Sequence, residues 1–300
     1  MKVYVTGGGG FIGSVVANKL DDAGHTVVAI DNEFLGVEDN LNESVEYRRK
    51  SITERLELND VDTIYHLAGL SSLSLCRDNA YESANVNVAG TVNLFETAMC
   101  SGVDNIIQAS TSSVYGTVYE PVSENAPVTA KTLYEASKLS QEQYANAYEE
   151  KSDLTIASVR PASIYQGMGY NERHKSGNSS VVSLFAEIFH NREQPTIYGD
   201  GSQQRDFLHV DDAANGFISA TGLSGVYNIG TGKVTSINKV VELIREKMSL
   251  KIKAEYIENP IEEEYIERSQ LDSSKLESHT GWEPTISINE GIGKLCEFYK

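Results

Sequence analysis

The sequence predicts an α/β fold: a doubly wound parallel sheet of Rossmann type, followed by a smaller C-terminal lobe. Three observations predict it. Short β-branched runs alternate with helical stretches through the first half of the chain. Those runs are near-continuously apolar rather than alternating, as strands covered on both faces are. A glycine turn, with Gly7, Gly10 and Gly13, follows the first run directly and opens an apolar helix.

The runs are KVYVT (2–6), TVVAI (26–30), VEYR (45–48), TIYHL (63–67), NIIQA (105–109) and LTIASV (154–159). Between the fourth and fifth lies a predicted helix carrying Val88, Val92, Phe95 and Met99 on one face and stopping at Gly102. After about residue 165 the rhythm changes. Residues 160–180 hold few apolar side chains and three glycines, as a loop over a site would. A helix near 180–190, strands near 195–199 and 226–229, and a helix near 236–248 follow. The expected division is a dinucleotide-binding domain over 1–165 and a smaller lobe over 166–300, interleaved at some strands, with a ligand cleft between them.

Composition narrows the function. At 300 residues and 40% hydrophobic content the chain can bury a substantial core. A formal charge of −18 argues against nucleic acid, because a phosphate backbone is bound by clustered Lys and Arg. The three cysteines, Cys76, Cys100 and Cys296, are scattered, suggest neither a disulfide framework nor a metal site, and read as small buried apolar residues. A strand from the second residue leaves no room for a signal peptide, and no apolar run approaches the roughly 20 residues of a membrane span. A soluble, cytoplasmic protein that binds no metal, nucleic acid or membrane is expected.

The glycine turn lets a pyrophosphate approach a helix N-terminus. Asp31 ends the second run, 18 positions after Gly13, where a carboxylate binds ribose hydroxyls and repels a 2′-phosphate. No Arg follows within IDNEFLG, so NAD is favoured over NADP. In LYEASK (133–138), Tyr134 and Lys138 stand four apart, on one face of a helix. An ammonium near a phenol favours the phenolate, so Tyr134 is a candidate general base with a pKa drawn towards neutrality. The hydroxyl row ASTSSVYG (109–116) sits at the end of the fifth run.

Together TGGGGFIG, IDN, HLAG (66–69), NVAGT (87–91), STSSVYG, YEASK, YGDGSQQRDFLHVDD (198–212), YNIGTG (227–232) and GWEP (281–284) span nearly the whole chain. The chain resembles the extended short-chain dehydrogenases/reductases, the family of nucleotide-sugar epimerases and dehydratases, and is most similar to its UDP-glucose (UDP-galactose) 4-epimerases. The resemblance implies NAD bound by Gly7, Gly10, Phe11, Ile12, Gly13, Asp31, Asn32, Leu67, Ala68, Tyr134 and Lys138. It implies a catalytic set of Thr111, Tyr134 and Lys138. Tyr134 takes the proton of the sugar 4-hydroxyl while C4 gives hydride to the cofactor, and the 4-keto sugar turns over before hydride returns. Family dehydratases resemble a pattern with Asp-Glu after the threonine, and decarboxylases carry a Glu at the second position; Ser112 and Ser113 stand here, which leaves redox inversion.

The resemblance further implies substrate contacts from Thr111, Ser112, Ser163, Arg205, Arg268 and Ser269. Arg205 matches the arginine on the substrate diphosphate; a surface ion pair with Asp206 or a nearby Glu is its structural alternative. Asp206, His209 and Asp211 read as structural hydrogen-bonding residues. Departures are also visible. A second phosphate-binding arginine falls on Glu262, with Arg268 as the nearby substitute. An adenine-binding Asp falls on Ser51, and the Asn of the RPxN stretch on Ser163. Ser269 replaces a bulky gatekeeper that excludes N-acetylated sugars, so both plain and N-acetylated UDP-hexoses are expected substrates. A homodimer through helices near 82–101 and 131–150 is the expected assembly. The competing readings are a 4-keto nucleotide-sugar reductase and a non-catalytic dinucleotide sensor.

Overall fold

Seven parallel strands form the central sheet of the computed structural model, which describes residues 1–166, 179–260 and 265–299. The chain runs β1 (Lys2–Thr6), α1 (Phe11–Asp22), β2 (Thr26–Asp31), β3 (Glu46–Arg49) and β4 (Thr63–His66). It continues through α2 (Leu73–Asp78), α3 (Ala80–Ala84), α4 (Thr91–Ser101), β5 (Asn105–Ala109), α5 (Leu133–Glu149) and β6 (Thr155–Pro161). Next come β7 (Ser163–Tyr165), α6 (Val181–His190), β8 (Thr196–Tyr198), β9 (Gln204–His209), α7 (Val210–Ser219) and β10 (Gly225–Ile229). The chain ends with β11 (Val234–Ser236), α8 (Ile237–Lys247), β12 (Glu255–Ile257), β13 (Arg268–Ser269), α9 (Ser274–Thr280) and α10 (Ile288–Phe298).

The strand order is β10-β6-β5-β4-β1-β2-β3. Winding reverses between β1 and β4, so a crevice opens beyond the carboxyl ends of those two strands, where open α/β sheets bind ligands. Alternation along β1 explains the two-sided core. Val3 and Val5 pack with Val15 of α1 and Phe217 of α7, whereas Tyr4 packs on the other face with Leu94 and Phe95 of α4.

A second sheet, β11-β9-β13 with β7 on β9, carries the smaller lobe, and α6, α8 and α10 supply its apolar cluster around Phe185, Ile244 and Leu295. The lobes interleave. The run near 226–229 lies in the 166–300 stretch, and as β10 it pairs with β6 and completes the central sheet. An apolar pattern shows that a strand is buried, not which sheet it joins. Conversely β7, two residues past β6, already belongs to the second sheet.

Two expectations are corrected. The face of α4 that is buried is Thr91, Leu94, Phe95 and Ala98, and Met99 is exposed. A π-helical turn at Asn85–Gly90 precedes α4 and rephases it, so Val88 no longer aligns with the buried face. Gly102 does end the helix, in the left-handed conformation at φ 70°. Cys76 and Cys296 are buried as expected, but Cys100 is exposed.

The remaining shared motifs have structural work. Asp206 accepts from the backbone N–H groups of Thr231, Gly232 and Leu271, stitching β9 to two loops. Asp212 does the same for Thr285 and Ile286, and Trp282 Nε1 donates to the Asp212 carbonyl at 3.2 Å. His209 caps the N-terminus of α7. Most of the 160–180 loop, and Glu262, lie outside the described residues. Among the described residues, no helix is long and apolar enough to cross a membrane.

Candidate active site

Two clefts open at the carboxyl end of the central sheet, and Tyr134 lines both. The first, about 1440 Å³ of open space, follows the β1–α1 turn. Gly7 adopts φ +68°, and a Cβ on Gly13 would stand 2.0 Å from the Gly7 carbonyl oxygen, so neither position accepts a side chain as built. Gly10 begins α1, whose N-terminus faces the cleft with Phe11, Ile12 and Gly13.

Asp31 closes the far end of this cleft. The Gly9 N–H donates to one of its oxygens at 3.1 Å and the Glu33 N–H to the other at 2.8 Å. Each oxygen keeps acceptor capacity for a hydroxyl donor. Burial raises the Asp31 pKa, and the two backbone bonds pull against it. Such a site fits the vicinal hydroxyls of a ribose and disfavours an added phosphate. Asn32, Leu67 and Ala68 line the same cleft, as does Ser51, whose hydroxyl stands where an Asp was expected by resemblance. Sequence reading missed Phe34, Lys50 and Ile52 here; the signal available was an apolar Phe34 inside the polar run IDNEFLG beside a binding motif, a side chain the structure leaves 58% exposed.

The second cleft is walled by Thr111, Ser112, Ser113, Ser163, Arg205 and Ser269, with apolar sides from Phe11, Ala162 and Ile164. No carboxylate or histidine lies among its described lining residues. Arg205 is their one cation. It donates to the Gln204 carbonyl at 2.9 Å and sits 5.8 Å from the Tyr265 ring, and among the described residues no carboxylate pairs with it. Burial lowers its pKa. On β13 adjacent side chains point to opposite faces. Ser269 therefore enters the cleft, while Arg268 is not among its lining residues and donates to Gln270 Oε1 at 2.7 Å.

Where the clefts meet, Thr111 caps a short 3₁₀ turn over Ser112–Tyr115, accepting from the Ser113 N–H at 3.2 Å. Ser110 instead donates to Glu142 beneath the cleft floor. Tyr134 is placed by a reciprocal cap that sequence reading overlooked in TLYE. Thr132 Oγ1 accepts from the Glu135 N–H at 3.2 Å and Glu135 returns a bond to the Thr132 N–H at 3.0 Å. The cap starts α5 so that Tyr134 and Lys138 lie one turn apart on the cleft face. Lys138 Nζ donates to the Ala109 carbonyl at 2.9 Å and to Gln141 Oε1 at 3.0 Å.

The electrostatics correct one expectation. Lys138 was expected to draw the Tyr134 phenol towards neutrality. Burial instead pushes Tyr134 up to about 12, with the Thr111 hydrogen bond pulling the other way. Burial also lowers Lys138 to about 8, so its ammonium is still mostly protonated at neutral pH. Desolvation of a phenolate in this position outweighs the Thr111 hydrogen bond, and Cys76 and Glu135 add to it.

With this geometry in view, the chain's similarities can be placed. A profile of the NAD dependent epimerase/dehydratase family matches residues 3–230. The chain is 33% identical to a UDP-glucose 4-epimerase of Mycolicibacterium smegmatis, over 100% of this chain and 99% of that protein. It is 30% identical to UDP-glucuronic acid decarboxylase 1 of Danio rerio, over 99% of this chain and 72% of that one. The Thermus thermophilus UDP-glucose 4-epimerase in complex with NAD superposes with a TM-score of 0.91 at 29% identity, covering 100% of this chain and 99% of that one. A UDP-N-acetylglucosamine 4-epimerase of Methanobrevibacter ruminantium, in complex with UDP-N-acetylmuramic acid, superposes with a TM-score of 0.92 at 28% identity, covering 99% and 97%.

Proposed function

The chain belongs to the NAD-dependent epimerase/dehydratase family, and from that premise we propose that it inverts C4 of a UDP-linked hexose with NAD as resident cofactor. The observation that carries this reading is the meeting of two clefts at Tyr134, one shaped for a dinucleotide and one free of carboxylates along its described walls. Dehydration and decarboxylation call for an acid or base beyond the tyrosine, and Ser112 and Ser113 are poor ones. The 30% identity to a decarboxylase is therefore outweighed by the side chains lining the site.

NAD, when bound, supplies the two-electron acceptor and returns what it accepts. Gly7, Gly10 and Gly13 admit its pyrophosphate to the N-terminus of α1, and Asp31 receives ribose hydroxyls. Tyr134 moves the proton on the sugar O4, and Thr111, already bonded to the phenol, shares that bond with O4. Lys138, one turn along α5, presents its ammonium to the same cleft. Arg205 neutralises the substrate diphosphate. Among the described residues, the polar wall beside the sugar is built of small hydroxyl side chains, Ser112, Ser113, Ser163 and Ser269, so the sugar is held mainly by its remote nucleotide and can present either face. The same small walls leave room for an acetamido group, so both plain and N-acetylated UDP-hexoses are proposed substrates. Dimerisation through α4 and α5, where Met99 and Tyr144 are exposed, completes the reading.

The test is direct. Purified protein is assayed by mass spectrometry for retained NAD, then incubated with UDP-, dTDP- and GDP-hexoses while epimers are resolved by NMR. Inversion at C4 without net oxidation supports the proposal. Stoichiometric consumption of NADH with a 4-keto sugar would transfer the protein to the reductases.

A further inference from the structure

Lys138 is held by a side chain that the motif pattern does not assign. Gln141, buried at 1% exposure, offers its Oε1 to the ammonium at 3.0 Å. Its Nε2 donates to the Asn87 carbonyl at 2.6 Å and to Thr91 Oγ1 at 2.7 Å. These partners settle which way the amide faces. A carbonyl oxygen only accepts, so the amide nitrogen faces Asn87 and the amide oxygen faces Lys138. Thr91 gives its own proton to the same carbonyl at 2.6 Å, and can only accept from Gln141 and from His66 Nε2 at 2.9 Å. His66 Nδ1 is left to accept from the Thr6 hydroxyl at 2.8 Å. Every proton is thus assigned along a buried row reaching from β1 to α5, and turning one member over orphans another.

We propose that Gln141 is a positioning residue for Lys138, its locked amide oxygen pinning the ammonium against the Ala109 carbonyl and leaving one N–H for the cofactor. An ammonium has three donors, and two are committed inside the protein. Lys138 would therefore have one N–H, held in a fixed direction, to offer NAD when it is bound. The role assigned rests on the reading that the first cleft holds NAD; the contact itself does not.

The titratable groups facing this ammonium are Cys76 from α2, Glu142 from its own helix and His66 from β4, and Tyr134 lines the same cleft. Burial lowers Lys138, and Cys76 and Glu142 oppose it; His66 is neutral near pH 7, being pushed down to about 3. Gln141 adds an acceptor whose bond to the charged ammonium is stronger than its bond to the neutral amine. Removing it should let the proton leave at lower pH.

The test is Gln141→Met, similar in volume, with Gln141→Ala as a second variant that cannot overpack. The Lys138 titration is followed by NMR of protein labelled at the lysine ε-carbon, assigned by loss of the signal in Lys138→Met. The midpoint is expected to fall by about one unit, with the alkaline limb of the kcat profile moving by the same amount and KM for the UDP-sugar staying within about twofold. Retained NAD is expected to drop by about tenfold. A folded variant whose Lys138 midpoint does not move overturns the proposal, even if its melting temperature falls. Because the NMR midpoint needs no turnover, absence of sugar inversion would sink the functional reading and leave this one decided separately.

Discussion

Glu142 and Arg160 form a bidentate ion pair beneath the cleft floor, with Oε2 to Nη2 at 2.6 Å and Oε1 to Nε at 2.8 Å. Both side chains are about 5% exposed or less. The pair anchors its surroundings: Ser110 donates to Glu142, and Arg160 Nη1 donates to the Tyr115 hydroxyl at 2.7 Å, which donates on to Asn228 at 2.9 Å. Thr111 thus hangs between two residues, Ser110 and Tyr115, fixed by one pair. Removing one partner leaves the other charge buried and unmatched, at a cost of about 3–5 kcal/mol. Glu142→Leu is expected to lose stability on that scale in urea titrations. A loss below about 1 kcal/mol would show that the pair is hydrated or dispensable.

Gly13→Ala tests the turn. The added Cβ would lie 2.0 Å from the Gly7 carbonyl, so the turn must open or the helix must shift. NAD retained through purification is expected to fall by about tenfold or more, with melting temperature falling less. Full retention of NAD would show that the turn is not the pyrophosphate cradle.

His66 carries an acid sensitivity whose sign is fixed by its burial. Burial, with the nearby Lys138 charge, pushes its pKa down from 6.5 to about 3. The unfolded chain therefore takes up a proton near pH 6.5 that the native protein refuses until about pH 3. The stabilisation is fully present above pH 6.5 and is lost as pH falls towards 3, on the order of 5 kcal/mol at full extent. Urea titrations between pH 7 and 4.5 should show a steeper decline in the wild type than in His66→Gln. Parallel declines would assign the effect to carboxylates alone.

Much of this was legible before any coordinates. Parallel strands buried on both faces write themselves as continuous apolar runs, and the six that begin the chain lie where their residues indicate, within a residue or two at each end. That Gly7, Gly13 and Asp31, and Tyr134 with Lys138, line one cleft is readable because they stand at recognisable spacings along a turn, a strand end or one helix. What escaped depends on distance. Gln141 meets Asn87 and Thr91 across 50 residues or more, and no local pattern announces that. The phase of α4 was lost to a π turn. The Tyr134 pKa was misjudged because sequence shows a neighbouring charge but not the burial that opposes it.

Tyr134→Phe removes the proton acceptor while leaving the ring that lines both clefts. Turnover is expected to fall by about 10²–10⁴-fold, with NAD still retained and KM little changed. Thr111→Val should cost less, on the order of tenfold, because it removes a hydrogen bond and not the group that carries the proton. If Tyr134→Phe inverts sugars at the wild-type rate, the proton passes elsewhere and the proposed chemistry fails.

Ser269→Tyr addresses the sugar. Ser269 pairs with Arg205 across the β13–β9 ladder and points into the second cleft, so a phenol there takes up space beside the proposed diphosphate anchor without entering the cofactor cleft. A plain hexose presents only a 2-hydroxyl, whereas an N-acetylated one carries a planar amide and a methyl group. The bulkier group should be excluded first, because overlap is penalised more steeply than a lost contact. The kcat/KM for the N-acetylated UDP-sugar is expected to fall by about 10²-fold, and that for the plain sugar by less than about tenfold. Measuring both on the wild type and the variant gives a ratio independent of overall damage to the protein. An unchanged ratio would place the acetamido group elsewhere, and a wild type that rejects the N-acetylated sugar would show that some other side chain already closes the space above Ser269.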